Sequence, residues 1–375
     1  MIVFHRTPDH EGGMTRLTER DLDEAVEAGL ISADQRQGLL ELATDRHRPA
    51  DRPADRPAPD DEPFDLFQGF AEIFVALGLV ILMAGVGGLL ETMVAPGLWP
   101  FALLLISGVA GHYYARHRRM TLPSITALVG LTISFIWLLA PFVDGTSIAG
   151  GSPSVQVLII SLATFVMLMG CFRRYRLPFT MFPAGISMLV AILALAELAT
   201  GDGGKTFLSD GFFDLRENLA AALGVLGFGL LALTAALRFD MRDPLRVGGA
   251  SKSAFWLHIL AGPAIVNTVT VTLFNIGGVP GHVLTVVMLV ATTFLSLVID
   301  RRSFLTAGLV YIGAVLGFYT DAFGDSGFYI NALIIGLLVT ALGTWWRVLR
   351  RITMSALPDF PGKTRLAPYG SEDSK

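Results

Sequence analysis

The sequence predicts an all-α integral membrane protein with about ten transmembrane helices, both termini in the cytoplasm, and a small N-terminal helical hairpin on a proline-rich linker. Apolar residues make up 53% of the 375-residue chain and charged residues only 16%, a composition typical of membrane proteins. Between residues 65 and 347 the charged residues occur almost wholly in short clusters, which separate apolar runs long enough to cross a bilayer. The basic residues also favour one side of the resulting topology.

Residues 1–46 are predicted to form a cytoplasmic hairpin of two short helices. Thr18 stands at the N-cap of the first helix, Gly29 ends it, and Ser32 with Gln35 has the spacing of a capping box for the second. A hairpin of this size cannot bury a core that would hold it together alone. It is therefore expected either to be a solvated cap or to dock on the membrane domain, a second copy of the chain or a protein partner.

A linker is predicted at residues 47–63, where the tetrapeptide Arg-Pro-Ala-Asp repeats. Proline at every fourth position prevents helices and strand ladders, and the alternating charges keep the segment in solvent. The linker is thus expected to be a disordered spacer that reaches up to about 50 Å in an extended, proline-rich conformation.

The transmembrane domain is predicted at residues 64–351, and residues 352–375 are predicted to form a disordered cytoplasmic tail. The predicted spans are residues 66–90, 97–115, 122–143, 153–172, 177–198, 217–237, 253–274, 281–299, 303–320 and 327–346.

The charge distribution supports the count of ten spans. With the N-terminus in the cytoplasm, 26 of the 28 Lys and Arg residues lie on the cytoplasmic side, and only Lys205 and Arg216 lie outside. Three of the basic clusters share a pattern, Arg-Arg-x-x-Leu-Pro at residues 118–123 and 173–178 with a looser copy at 301–306. The pattern indicates either an internal duplication or the common needs of helices that begin at the membrane surface.

The seventh span is the predicted interior helix, because it is apolar yet contains residues that need partners inside a membrane. His258 could relay a proton, or its imidazole could hydrogen-bond a neighbouring helix. Pro263 removes one helical hydrogen bond and favours a kink. Asn267 and Thr270 lie on the same face as Pro263, whereas His258 projects from another. Pro263, Asn267 and Thr270 are the stronger candidate for an interior polar site, with interhelical hydrogen bonding as the alternative.

Glu72 completes the set of candidate interior residues. It is the only carboxylate well inside an apolar run. It could hold a proton or a cation, or it could reach the membrane surface and an arginine as an anchor.

Other kinds of site are not predicted. The chain has one cysteine, Cys171, which excludes an intrachain disulfide and a Cys/His metal site. The Walker A, His-Glu-x-x-His, Gly-x-Ser-x-Gly and Gly-x-Gly-x-x-Gly patterns do not occur, so the sequence predicts neither an enzyme nor a bound cofactor.

Two parts of the chain carry a resemblance to a known family. Residues 22–35, followed by a membrane region that opens at residues 69–90, resemble the bacterial membrane proteins of domain-of-unknown-function family 2157. Residues 254–263 and the Asp300-Arg-Arg turn likewise resemble bacterial polytopic proteins to which no function is attached. The resemblance implies a multi-pass protein of the bacterial inner membrane, and it supplies no catalytic residue and no substrate.

Two functions are compatible with the sequence. The first is a multi-pass inner-membrane protein that binds or transports a small solute, ion or lipid, with the seventh span as a broken interior helix. The second is a non-transporting membrane scaffold or sensor that recruits a partner through its N-terminal hairpin. The expected partners are the lipid bilayer, a protein that binds the hairpin and a second copy of the chain, but no nucleic acid.

Overall fold

The computed structural model describes residues 2–3, 16–17, 19–37, 69–94, 97–144, 152–201, 211–244, 246, 248–320, 324–360, 362–363 and 366–367. The chain divides into two units, Met1–Pro57 and Ala58–Lys375. The predicted linker at residues 47–63 lies outside the described residues.

The first unit begins with two short strands and a helix. Strand β1 (Ile2–Val3) pairs antiparallel with β2 (Arg16–Leu17), and helix α1 spans Glu19–Glu27. Gly29 follows α1 with a φ of 69°, a left-handed conformation that glycine adopts without a steric penalty.

The predicted capping box of the second hairpin helix is confirmed. The backbone N–H of Ser32 donates to Gln35 Oε1 at 2.9 Å, and the N–H of Gln35 donates to Ser32 Oγ at 3.2 Å. Residues 33–37 are helical. Arg36 also pairs with Asp23 of α1 at 2.6 Å, which ties the two hairpin segments together.

The second unit is a bundle of helices. They are α2 (Phe70–Leu89), α3 (Trp99–His112), α4 (Thr121–Asp144), α5 (Pro153–Tyr175), α6 (Met181–Thr200), α7 (Leu219–Asp240), α8 (Gly249–Phe274), α9 (Gly278–Ile299), α10 (Ser303–Thr320) and α11 (Asp325–Ala356). Helices α2 and α3 run on into π-helical turns, Leu90–Val94 and Tyr113–Arg118, and a 3-10 turn, Pro178–Thr180, precedes α6.

Each predicted span coincides with one helix of this bundle. Within the described residues, eight helices are long and apolar enough to cross a membrane. Helices α3 and α10, with 14 and 18 residues, are not among those eight. The chain is therefore a multi-pass membrane protein.

Helix α8, the predicted interior span, packs against α6, α7, α9 and α10. Its closest neighbour is α7, where the position of Gly229 allows the two backbones to approach. A Cβ at Gly229 would lie 2.7 Å from Ile265 Cγ1 and 3.0 Å from Ala264 Cβ, so a larger residue would push the helices apart. The break that the sequence predicts does not interrupt the helix, because α8 is helical from Gly249 to Phe274 with Pro263 inside it.

Helix α11 continues to Ala356, beyond residue 352 where the disordered tail was expected to begin. No glycine or proline interrupts residues 347–356, and the helix ends where Pro358 forces Leu357 into an extended conformation. Part of the following segment is also held, since Arg350 Nη2 donates to the carbonyl oxygen of Ala367 at 2.6 Å.

Candidate functional site

The most strongly buried polar cluster lies where α7 ends beside α8. Asp240 is the last residue of α7, and its carboxylate Oδ2 lies 2.8 Å from His258 Nε2 on α8. His258 is fully buried, and Asp240 is 7% exposed. The imidazole predicted to bond a neighbouring helix therefore does so through a carboxylate.

Arg301 is the third member of the cluster. Its Nη2 donates to Asp240 Oδ1 at 2.5 Å and to Ser251 Oγ of α8 at 3.2 Å, and the side chain is fully buried. The carboxylate of Asp240 thus has one oxygen on a guanidinium and the other on an imidazole. These contacts join the end of α7, the body of α8 and the turn between α9 and α10.

The turn that carries Arg301 is formed by Asp300, which ends α9 in a left-handed conformation with a φ of 61°. Aspartate tolerates this conformation better than most residues do. The backbone N–H of Arg301 donates to the carbonyl oxygen of Ser296 at 3.1 Å, so the chain turns back and directs the Arg301 side chain into the bundle.

Asp300 anchors a second ionic cluster beside the first. Its Oδ2 lies 2.9 Å from Arg246 Nη1, and its Oδ1 accepts the indole N–H of Trp346 at 2.8 Å. Arg350 Nε lies 3.5 Å from the same Oδ1 atom. Burial raises the pKa of Asp300, but the charge of Arg246, that of Arg350, the Trp346 hydrogen bond and the charge of Arg301 together lower it by more. The net effect places its pKa below the ordinary aspartate value.

Asp243 positions the start of α8. Its Oδ2 accepts the backbone N–H of Gly248 at 2.7 Å and that of Ser251 at 3.4 Å, as a capping carboxylate does at a helix N-terminus. Because Ser251 also contacts Arg301, the cap and the ion pair fix the same turn of α8.

The three residues of the predicted stripe lie on α8 and differ in burial. Thr270 is fully buried, whereas Asn267 and Pro263 are half-buried on the same helix. His258 contacts Asp240 and the ring of Phe304, whose centroid lies 6.0 Å from the imidazole.

Glu72 lies on α2, away from these residues in the bundle. Its Oε2 accepts the backbone N–H groups of Thr121 and Leu122 at 3.1 and 3.0 Å, and the side chain is 5% exposed. Glu72 therefore satisfies the unpaired amides at the start of α4 from a neighbouring helix. This role differs from both roles expected from the sequence.

Several buried hydroxyl groups on α8 and α9 have no hydrogen-bond partner among the described residues. They belong to Thr270, Thr285 and Ser296. Most threonines of these helices behave differently: the hydroxyls of Thr268 and Thr292, for example, donate to the carbonyl four residues earlier. A buried polar group without a partner costs roughly 1–3 kcal/mol.

The sequence does not indicate Asp240, Arg301 or Ser251 as functional residues. Asp240 and Arg301 lie in charge clusters at helix ends, where solvated side chains are the ordinary expectation. One signal could have identified Asp240: it is an acidic residue between Arg238 and Arg242, directly after an apolar span.

No family model matches the chain, and no curated protein or solved structure does so either. The chemistry of the cluster is therefore inferred from its own geometry. In that geometry the buried carboxylate of Asp240 lies between the guanidinium of Arg301 and the imidazole of His258.

Proposed function

We propose that this chain is a proton-linked membrane transporter of a small solute or ion, in which the pair of Asp240 and His258 takes up and releases the proton. The proposal rests on the carboxylate of Asp240, which contacts buried Arg301 through one oxygen and buried His258 through the other. Ionisable residues inside membrane proteins are expensive to bury, and they commonly mark ion pathways and proton relays.

The charge balance of the cluster explains how a proton could alter the helices. With a neutral imidazole, the charges of Asp240 and Arg301 cancel. A proton on His258 adds an uncompensated positive charge at a site shielded from solvent, where charge is destabilising. Movement of α8 against α7 would relieve that charge. Protonation is thereby coupled to the helix that packs at the centre of the bundle.

The first test measures the proton itself. Purified protein in weakly buffered detergent is titrated between pH 8 and pH 5, and the protons bound are compared with those bound by the His258→Gln variant. Glutamine can still donate to Asp240 but cannot take a proton, so we expect it to bind about one proton fewer. His282→Gln, which changes another buried histidine on the neighbouring helix α9, is the matched control in the transport test. Equal proton binding by His258→Gln and wild type would contradict the proposal.

The second test measures transport. Proteoliposomes that contain a pH-sensitive dye are given a pH gradient and, in separate trials, sodium chloride, potassium chloride or a mixture of amino acids. We expect solute-dependent proton flux in the wild type, at least tenfold lower flux in His258→Gln and Asp240→Asn, and unchanged flux in His282→Gln. Flux no greater than in empty liposomes under every condition would overturn the transporter assignment.

A second candidate function is a membrane scaffold or sensor that recruits a protein through the N-terminal hairpin. The observation that favours it is the side chain of Leu30, which is 78% exposed in the turn between the two hairpin segments. Deleting residues 1–63 and, separately, replacing Leu30 with serine should remove a co-purifying protein partner. Unchanged co-purification in both variants would contradict this function.

A further inference from the structure

A wide groove opens between α3, α4 and α5, in a different part of the bundle from the ionic cluster. Its volume is about 810 Å³, within the range of pockets that bind small molecules. Most of its wall is apolar and comes from all three helices, through Leu104, Leu105, Val109, Leu131, Phe135 and Met167.

One end of the groove is lined by polar aromatic residues: His112, Tyr113, His117 and Tyr175. The rings of His112 and His117 lie 5.8 Å apart, and those of His112 and Tyr175 lie 6.2 Å apart. The π-helical turn Tyr113–Arg118 produces the histidine pair, because its wider winding brings residues five apart onto one side. In an α-helix, residues five apart point in clearly different directions.

The chain beside this end of the groove is rich in exposed arginine. Six arginines lie within a few residues of the lining aromatics in the sequence, and the guanidinium of one of them, Arg174, stacks 5.6 Å from the centroid of Tyr175. No acidic residue occurs in residues 97–143 or 152–196. None of these arginines forms an ion pair with any residue that the structure describes. They are Arg116, Arg118, Arg119, Arg173, Arg174 and Arg176.

A smaller cavity of about 40 Å³ continues from the floor of the groove and shares Gly108, Leu131 and Tyr175 with it. Its lining includes Thr180, whose hydroxyl is buried and has no partner within the described residues. The groove and the cavity thus combine apolar walls with a hydroxyl that has no described partner, and exposed arginines lie nearby in the sequence, which are features that would suit a phospholipid.

We propose that the groove binds an anionic glycerophospholipid, with an acyl chain along the apolar wall and the phosphate at His112, His117 and the neighbouring arginines. Charge complementarity favours this occupant, because the six arginines, which have no carboxylate partner among the described residues, attract an anionic phosphate group and repel a ligand of net positive charge. Concavity distinguishes the groove from the exposed helix faces that any surrounding lipid covers. The proposal does not depend on proton transport.

Gly108 offers a way to fill the groove, and Gly227 offers a control for that change. A Cβ at Gly108 on the groove floor would meet no atom within 4 Å, and the same is true of Gly227 on α7, outside the groove. Both glycines are half-buried and helical. Gly108→Leu therefore places a side chain in the groove, and Gly227→Leu is its matched control.

The experiment uses native mass spectrometry of the full chain in detergent, with phosphatidylglycerol and phosphatidylcholine of the same acyl composition added separately. We expect the wild type to retain phosphatidylglycerol with an affinity at least tenfold higher than phosphatidylcholine. Gly108→Leu should lower the phosphatidylglycerol affinity at least tenfold, and Gly227→Leu should leave it unchanged. Equal retention of the two lipids by the wild type, or equal affinities for Gly108→Leu and Gly227→Leu, would overturn the proposal.

The position of the lipid headgroup is tested with substitutions at the polar aromatic end of the groove. The double variant His112→Ala/His117→Ala should lose most of the preference for phosphatidylglycerol over phosphatidylcholine. Arg238→Ala/Arg242→Ala removes two exposed arginines that do not line the groove and should preserve that preference. A preference unchanged by the histidine substitutions would place the phosphate elsewhere and overturn the assignment. A shift from dimer to monomer in Gly108→Leu would instead identify the groove as an interface between copies, which also overturns it.

Discussion

Replacing Asp240 with asparagine should be among the most destabilising single changes in the bundle. Arg301 keeps its charge in every condition, and its side chain is fully buried with Nη2 on the Asp240 carboxylate. Its Nε and Nη1 atoms have no hydrogen-bond partner among the described residues. Asp240→Asn therefore leaves a buried guanidinium without its counter-charge, and removing one partner of such a pair costs about 3–5 kcal/mol.

The opposite substitution, Arg301→Met, should cost less. The imidazole of His258 remains within hydrogen-bond distance of Asp240 and can take a proton to balance the carboxylate. In the double variant Asp240→Asn/Arg301→Met neither charge remains, so the two effects should not add. We expect the sum of the single effects to exceed the double effect by at least about 2 kcal/mol, as contacting buried groups do in a double-mutant cycle.

Unfolding in mixed detergent micelles with increasing dodecyl sulfate, followed through the fluorescence of the five tryptophans, gives the free energy of unfolding of each variant. Asp359→Asn is the control, because Asp359 pairs with Lys363 from a side chain that is 99% exposed. It should unfold as the wild type does. Additive effects of the two cluster substitutions, or a milder effect for Asp240→Asn than for Arg301→Met, would refute the account of the cluster as a buried charge pair.

Three further predictions concern other parts of the bundle. Glu72→Ala should destabilise the protein by about 1–2 kcal/mol in the same unfolding assay, because two backbone amides of α4 lose their acceptor, and an unchanged free energy would refute that role. Gly130→Ala should lower the free energy of unfolding by about 1–3 kcal/mol, since the new Cβ would lie 2.5 Å from Ser107 Oγ. Gly78→Ala is its control, because a Cβ there meets no atom within 4 Å and the change should be neutral or slightly stabilising. Equal effects of the two substitutions would contradict the close packing at Gly130. The stability that the Asp300 carboxylate contributes should be fully present above the ordinary aspartate pKa near 4 and should disappear as the pH falls through its lowered folded pKa. Melting temperatures of wild type and Asp300→Asn should therefore converge in acid. A constant difference from pH 7 to pH 3 would disprove the assignment.

The helices of the bundle could be predicted from the sequence because the membrane imposes a strong constraint on it. A helix must remain apolar for about twenty residues to cross the hydrocarbon core, and its ends are marked by charge, proline or glycine. The same local signals explain why the capping box of Ser32 and Gln35 could be predicted with its partners. The end of α11 is also marked by a local signal, Pro358, but the contact of Arg350 with Ala367 in the following segment leaves no local signature.

The partners of buried polar residues could not be predicted in the same way. His258 could be identified as unusual from its position in an apolar helix, but its partner Asp240 lies 18 residues away and Arg301 lies 61 residues from Asp240. Helical periodicity states which face a residue occupies and does not state which neighbouring helix covers that face. Glu72 shows the same limit, since its partners are backbone amides, which leave no signature in the sequence.

The arginine clusters show how similar sequence can lead to different structures. In the three copies of the Arg-Arg-x-x-Leu-Pro pattern the preceding helix ends with a left-handed residue at a different place: the second position in the first copy (Arg119), the fourth in the second (Arg176), and just before the third (Asp300). This difference in register favours the interpretation that the pattern reflects the common needs of helices that begin at the membrane surface, and it argues against an internal duplication. The surroundings of the arginines also differ. The sequence around the first two copies has no acidic residue, Glu72 contacts the first copy only through the backbone amides of Thr121 and Leu122, and the arginines of both copies are exposed. The third follows Asp300 and lies near Asp240, and its Arg301 is fully buried. Arginines in a similar sequence pattern can thus either stay exposed or become part of a buried ionic network.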